Sequence, residues 1–283
     1  MLAHEFMRNA FLAGTAVSLA CGLVGYFVVL RAEVFAGDAL SHVAFTGALA
    51  AAAAGLDIRL GLFVATVAVA VGIGLLGQRA RPDDVVIGSI FVWVLGLGTL
   101  FLSIFSSGSS GADGTVAVRV LFGSILGLSA AEARLAAAIG LGAAVLCLLL
   151  ARPLLFASLD SEVARGLGVP VRALGVVFLA LLGVVAAEAS QAVGALLLLG
   201  LLAAPGGAAR LLTANPWRGL TLSAAIAVGS TWIGLALSYE IDSLPASSAV
   251  IGCATAAFLA AATVAWLRGR GAGRREPEAT IAA

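Results

Sequence analysis

No lysine occurs in the 283 residues; all sixteen basic side chains are arginine. A P-loop grips phosphate through Gly-Lys-Ser/Thr and a Schiff base needs an amine, so both chemistries are excluded. If ATP drives this protein, another subunit hydrolyses it. Charge is scarce altogether, at 11% of residues with a net of +1, and nothing resembles the clustered basic face that nucleic-acid phosphates require. Cysteine is nearly absent. Cys21, Cys147 and Cys253 lie singly in apolar segments with no Cys or His at zinc-site spacing, so they read as small core residues and no disulfide framework is implied. Ser18-Leu19-Ala20-Cys21 is loosely similar to a lipoprotein cleavage site, but apolar sequence runs on to Leu30, which fits a retained span.

What fills the chain is apolar: 61% of residues, against about 45–50% in soluble domains. Apolar runs fall near 9–30, 34–55, 60–77, 85–105, 132–151, 171–188, 192–213, 217–238 and 246–267, separated by short polar breaks. At about 20 residues per span these predict an all-α polytopic membrane protein of eight or nine transmembrane helices. The 34–55 run carries Asp38, Ser41 and His42 and is the candidate for a broken or tilted helix. Residues 1–267 would be one membrane domain, and 268–283, rich in Arg, Gly and Glu without apolar period, a disordered tail. Glycine, at thirty-five residues, recurs inside the spans, where small side chains permit close helix crossings.

The arginines segregate. Arg31, Arg79, Arg81, Arg152, Arg165, Arg172, Arg210, Arg218, Arg268, Arg270, Arg274 and Arg275 fall on one side of the predicted topology, and only Arg8, Arg59, Arg119 and Arg134 on the other. Positive loops are retained in the cytoplasm, so the first side, with the C-terminus, is assigned there. The Gly/Ser-rich loop 106–114 then faces outward. The longest inner connection, with Leu159-Asp160-Ser161-Glu162-Val163-Ala164-Arg165-Gly166-Leu167-Gly168, reads as a short helix with a glycine stop and offers a docking surface.

Ionisable groups inside a membrane are costly and mark function. Asp38 and His42 stand at i and i+4, so a carboxylate and an imidazole leave the same helix face. If the second span begins near Val34, His42 lies roughly 12 Å deep, close to mid-bilayer. The only other histidine is His4. Oxygen plus nitrogen donors suit Zn²⁺ or Mn²⁺ better than Cu(I) or Mg²⁺, and two protein ligands fit transient passage better than permanent residence. The turn holding Glu240 and Asp242 before Pro245 places two further acids at the outer boundary, and Glu188 with Gln191 would occupy another outer turn as weaker candidates. Gly108-Ser109-Ser110-Gly111 matches the Gly-x-Ser-Gly pattern of intramembrane serine proteases, but it sits in a polar loop with no intramembrane base except His42.

Several fragments in order carry a family resemblance. They are Arg31 with Gly37-Asp38-Ala39-Leu40-Ser41-His42 and Gly47; Asp83-Asp84-Val85-Val86-Ile87-Gly88; Leu121-Phe122-Gly123-Ser124; and Asp160, Ala164 and Gly168 in the inner loop. Val193-Gly194-Ala195 with Ala204-Pro205 and Arg210 follows, then Ser238-Tyr239 through Asp242 and Pro245. Together they resemble the transmembrane permease subunits of ABC importers for zinc, manganese and related divalent metals. Departures stand at Gly206-Gly207-Ala208-Ala209 and at Glu240. The resemblance implies a multi-pass protein of a prokaryotic cytoplasmic membrane, working by alternating access as a homodimer. Its partners would be a cytoplasmic ATP-binding subunit and an extracytoplasmic metal-binding protein. It further implies that Asp38, His42 and Asp242 meet the transported ion, that no cofactor is held permanently, and that Asp160, Glu162, Ala164, Arg165 and Gly168 form the loop coupled to the ATPase. The rivals are an ion-coupled secondary transporter with Asp38 and His42 as proton relay, an intramembrane hydrolase using Ser109 or Ser110, and a membrane scaffold.

Overall fold

The computed structural model describes residues 4–77, 84–108, 121–241 and 243–273. Ten α-helices appear among them: α1 (Glu5–Leu30), α2 (Val34–Ala53), α3 (Ile58–Leu76), α4 (Asp84–Gly108), α5 (Ala130–Leu159), α6 (Ser161–Gly166), α7 (Val171–Ala192), α8 (Leu198–Leu212), α9 (Pro216–Glu240) and α10 (Ala246–Gly273). All but α6 and α8 are long and apolar enough to cross a membrane, giving eight candidate spans. The protein is an all-α polytopic membrane protein, since hydrocarbon leaves backbone groups no partner but their own helix.

The interrupted span is not the expected one. Helix α2 runs unbroken through Asp38 and His42, and the irregular stretch is 193–197, ahead of the 15-residue α8. Its cause lies in the backbone. Gly194 (φ +98°) and Gly123 (φ +73°) press against one another there, each leaving no room for a Cβ between the 121–123 and 192–194 backbones. Hydrogen bonds from Leu196 N to Leu121 O and from Ser124 N to Gln191 O tie the two segments. Polar side chains in α2 needed no such break, because Ser41 Oγ donates to the Asp38 carbonyl within the helix.

Long-range contacts define two ends of the bundle. At one end Arg210 Nη1 donates to Val29 O and Arg172 Nη2 to Leu75 O, joining the finish of α1 to that of α8 and the finish of α3 to the start of α7. At the other, Arg59 meets Glu188, Asn9 Nδ2 donates to Leu128 O, and Trp232 Nε1 donates to Thr15 Oγ1. Consecutive spans therefore alternate in direction, as the short connections require, while α1 and α8, whose finishes meet, run the same way.

The core is a continuous cluster built on α1 and α7, in which Phe27, Leu40, Leu154, Phe178, Leu182 and Leu198 are fully enclosed. Small residues set its dimensions. A Cβ at Gly25 would strike the backbone of Leu202 and one at Gly206 the backbone of Gly25, so α1 and α8 cross with backbones touching. In α3, α4 and α5 one face instead exposes large apolar side chains, including Val64, Val92, Trp93, Leu141 and Leu149, as a surface meeting lipid does.

Candidate metal site on the second helix

Helix α2 is sealed along most of its circumference and open along one stripe. Ala36, Ala39, Leu40, Val43, Ala44 and Leu49 are buried, whereas Val34, Phe35, Asp38, His42 and Phe45 keep partial or full access. The open residues follow helical spacing. One carboxylate and one imidazole, one turn apart, therefore project where an ion could reach them, as their i, i+4 relation predicts.

The neighbouring wall is α4. Phe91 stands edge-on to the His42 ring, centroids 5.1 Å apart at 68°, and edge-on to Phe35 at 6.1 Å. Further along, Thr46 Oγ1 donates to Val94 O at 3.1 Å, and Gly98 leaves the space that Thr46 enters. A ring contact of this kind uses neither nitrogen of His42, and a neutral imidazole carries a nitrogen lone pair that a metal can take.

Among the described residues no three or more His, Cys, Asp or Glu side chains converge as a metal cage. Asp38 and His42 can offer at most a partial shell, consistent in chemistry with a borderline divalent ion that keeps other ligands. Asp242 lies outside the described residues, as do Ser109, Ser110 and Asp113 of the Gly/Ser-rich loop and residues 274–283 of the tail.

Glu188 is not in a turn. It lies inside α7 near its finish, 4% exposed, and both carboxylate oxygens accept from Arg59 Nη2 at 2.9 Å. That pairing occupies Glu188 and clamps α7 to the start of α3. Nearby, a cavity of about 640 Å³ is lined by Asp57, Arg59, Glu132 and Gln191, at the end of the bundle opposite the inner loop. Glu132 there closes a reciprocal capping box with Ser129 at the start of α5, and Asp57 caps α3 through Leu60 N.

The inner loop is a short helix, α6, as its sequence indicates. Asp160 caps it, Oδ1 accepting from Glu162 N at 3.1 Å and from Val163 N at 2.9 Å, and Gly168 ends it at φ +83°. Ala164 is buried against the bundle, while Glu162 and Arg165 pair at 3.3 Å on the exposed side together with Val163 and Leu167. A short, partly apolar knob therefore lies at the arginine-rich end, four residues before the start of α7.

Sequence reasoning missed two ion pairs, Arg59 with Glu188 and Arg31 with Glu33. For Glu188 the signal was present in its apolar surroundings, since an intramembrane carboxylate demands a partner, and for Glu33 it was the arginine two residues before it. The partner of Glu188 is 129 positions away, however, and nothing in the sequence alone selects it.

Comparison with known proteins matches this architecture. Residues 3–265 match the family described as the ABC 3 transport family. The chain is 31% identical over 261 residues to the manganese transport system membrane protein MntC of Halalkalibacterium halodurans, covering 92% of this chain and 88% of that protein. It is 30% identical over 244 residues to a probable iron transport system membrane protein of Haemophilus influenzae, covering 85% and 87%. Its fold aligns with the structure of PsaBC from Streptococcus pneumoniae in complex with Fab at a TM-score of 0.78 and 26% identity, over 91% of each chain. The chain belongs to the ABC 3 transport family.

Proposed function

We propose that the protein is the permease subunit of an ATP-driven importer of a divalent transition metal ion, Mn²⁺ or Zn²⁺, with Asp38 and His42 as the ligands that the ion meets inside the membrane. The observation that carries this reading is the Asp38 and His42 pair on the open stripe of α2, in a chain whose relatives bear the names of manganese and iron transport proteins. Manganese is the first candidate on those names, and an oxygen and nitrogen donor pair suits it as well as zinc. Asp242 would add a third ligand nearer the outer boundary.

Energy comes from elsewhere. A lysine-free chain cannot build a P-loop, so ATP is hydrolysed by a separate subunit that receives the α6 knob, with Asp160 holding its start, Ala164 seating it and Glu162, Arg165 and Gly168 shaping its exposed face. A metal-binding protein delivers the ion at the opposite end, and a second copy of the chain completes the pathway. The arginine bias of the α6 end supports a cytoplasmic position for that end and for the C-terminus, with residues 1–267 as the membrane domain and 268–283, into which α10 continues as far as Gly273, as a tail. Alternating access then requires two packings of the bundle close in energy, with the ATPase selecting between them. The secondary-transporter reading is not favoured, because the family is an ABC transport family.

The test is uptake of radiolabelled Mn²⁺ and Zn²⁺ into vesicles holding the full complex. His42→Ala and Asp38→Ala are each expected to lower uptake by about 10-fold or more at equal amounts of assembled complex, at least the cost of losing a group that only orients a ligand. Unchanged uptake in both variants overturns the assignment, and uptake that persists without ATP but collapses with an ionophore favours the rival.

A further inference from the structure

The three-residue turn between α1 and α2 contains two costly features at once. Arg31 Nε donates to Glu33 Oε1 at 2.8 Å with the two side chains only 3% and 2% exposed, a full charge pair withdrawn from solvent. Between them Ala32 adopts φ +57°, the left-handed region that non-glycine residues avoid. Burying a pair of charges is neutral or worse for stability compared with an apolar replacement, and a strained backbone persists only where its surroundings over-determine it. A turn serving merely to reverse the chain would need neither.

What surrounds the turn is a physical bridge between two elements. On one side the Arg31 guanidinium lies 5.2 Å above the ring centroid of Phe178, a fully buried residue of α7 that also packs edge-on against Phe27 at 6.2 Å. Phe178 lies seven residues along α7 from Val171, about 10 Å from the start of that helix. On the other side Glu33 is the cap residue of α2, its carbonyl accepting from Gly37 N at 3.2 Å, and Asp38 follows Gly37 directly.

The rest of the packing favours joint movement of α7 and α2. Helix α7 is clamped to α3 at both ends, by Arg172 to Leu75 O and by Arg59 to Glu188. Helix α2 in turn crosses α3 at Gly47 and Gly61, where a Cβ on either would strike the other's backbone. Toward α4, the Asp38 and His42 end of the stripe meets aromatic edges, while Thr46, one turn beyond His42, holds Val94 O and gives that end a point to swing about.

We propose that Arg31, Glu33 and Phe178 are positioning residues that transmit displacement of the α6–α7 corner to α2, moving Asp38 and His42 relative to α4. The proposal rests on the reading of the chain as an ATP-driven metal permease. In it the ATPase pushes α6, α7 carries Phe178, the cation over that ring follows, and the ion pair turns the start of α2. None of the three residues touches the transported ion.

The deciding experiment measures ATP hydrolysis and Mn²⁺ uptake in the same vesicles containing the assembled complex, for wild type, Arg31→Gln, Glu33→Gln and Phe178→Leu. Ions moved per ATP are expected to fall by about 5-fold or more in each variant, the range of ordinary coupling energies. Arg31→Gln combined with Phe178→Leu should be no worse than the more severe single change, since both cut one link. Equilibrium Mn²⁺ binding should stay near wild type. A ratio that is unchanged while uptake and hydrolysis decline together with the amount of complex assigns these residues to stability alone and overturns the proposal. If Arg31→Gln fails to assemble, Phe178→Leu, which keeps an apolar side chain, decides by the same ratio. A wild-type complex that hydrolyses ATP and moves no metal overturns the parent reading instead, whereas import that His42→Ala stops, with an unaltered ratio in all three variants, overturns only the coupling.

Discussion

Asp38 and His42 stand out as a candidate site by residue type, because a carboxylate and an imidazole at i, i+4 inside an apolar run are costly there. Their accessibility was not legible: which face of α2 stays partly open depends on how α4 and the other helices pack against it, a tertiary fact. The ion pairs show the same limit, as charge in a span announces a partner without naming it. Arg59 and Glu188 also give a residue-scale prediction. Arg59→Ala leaves the 4%-exposed carboxylate of Glu188 without its cation, which should destabilise the protein toward the lower end of about 3–5 kcal/mol, given that Arg59 is itself 21% exposed. Replacing both by leucine should recover most of the loss. Thermal unfolding in detergent checks this, and a double variant as unstable as the single one would show that the pair stabilises beyond charge compensation.

Among the elements, the spans followed directly from hydrophobic length, and α6 followed from Asp160 at its start and glycine at its end. The break at 193–197 did not, because glycine pairs at Gly123 and Gly194 are recognisable only once the two segments meet. Nor did glycine content by itself tell which positions matter. A Cβ at Gly25 would collide with Leu202, whereas Gly72, Gly96 and Gly142 face open space. Gly25→Ala should therefore cost about 1–3 kcal/mol by forcing α1 from α8, and Gly142→Ala should be neutral or slightly stabilising in its helix. Folded yield and melting temperature separate the two, and equal behaviour would contradict the close crossing. At α6, Asp160→Ala removes a cap worth about 1 kcal/mol. The expected consequence is weaker co-purification of the ATP-binding subunit with the eight spans still folded.

At the largest scale the protein is a bundle of spans that alternate in direction along the chain, and its ends are distinguished by arginine. That asymmetry was legible at once, since it depends only on where charges fall between apolar runs. A fluorescent protein that matures only in the cytoplasm, fused after Ala283, should fluoresce, and alkaline phosphatase fused there should be inactive; the reverse pattern would invert the topology. The sequence does not reveal how the other six spans and the short α8 pack around α1 and α7, which rests on crossings between residues far apart in the chain. The central claim is that the ion passes through a site made by α2, and the histidine content makes it directly observable. With only His4 and His42 in the chain, nitrogen-15 histidine can be introduced into this subunit alone and the complex assembled with unlabelled partners. Electron spin echo modulation of bound Mn²⁺ should then show nitrogen-15 coupling that survives His4→Ala and disappears in His42→Ala. Bound Mn²⁺ without nitrogen-15 coupling, or with coupling unaffected by His42→Ala, would contradict the account.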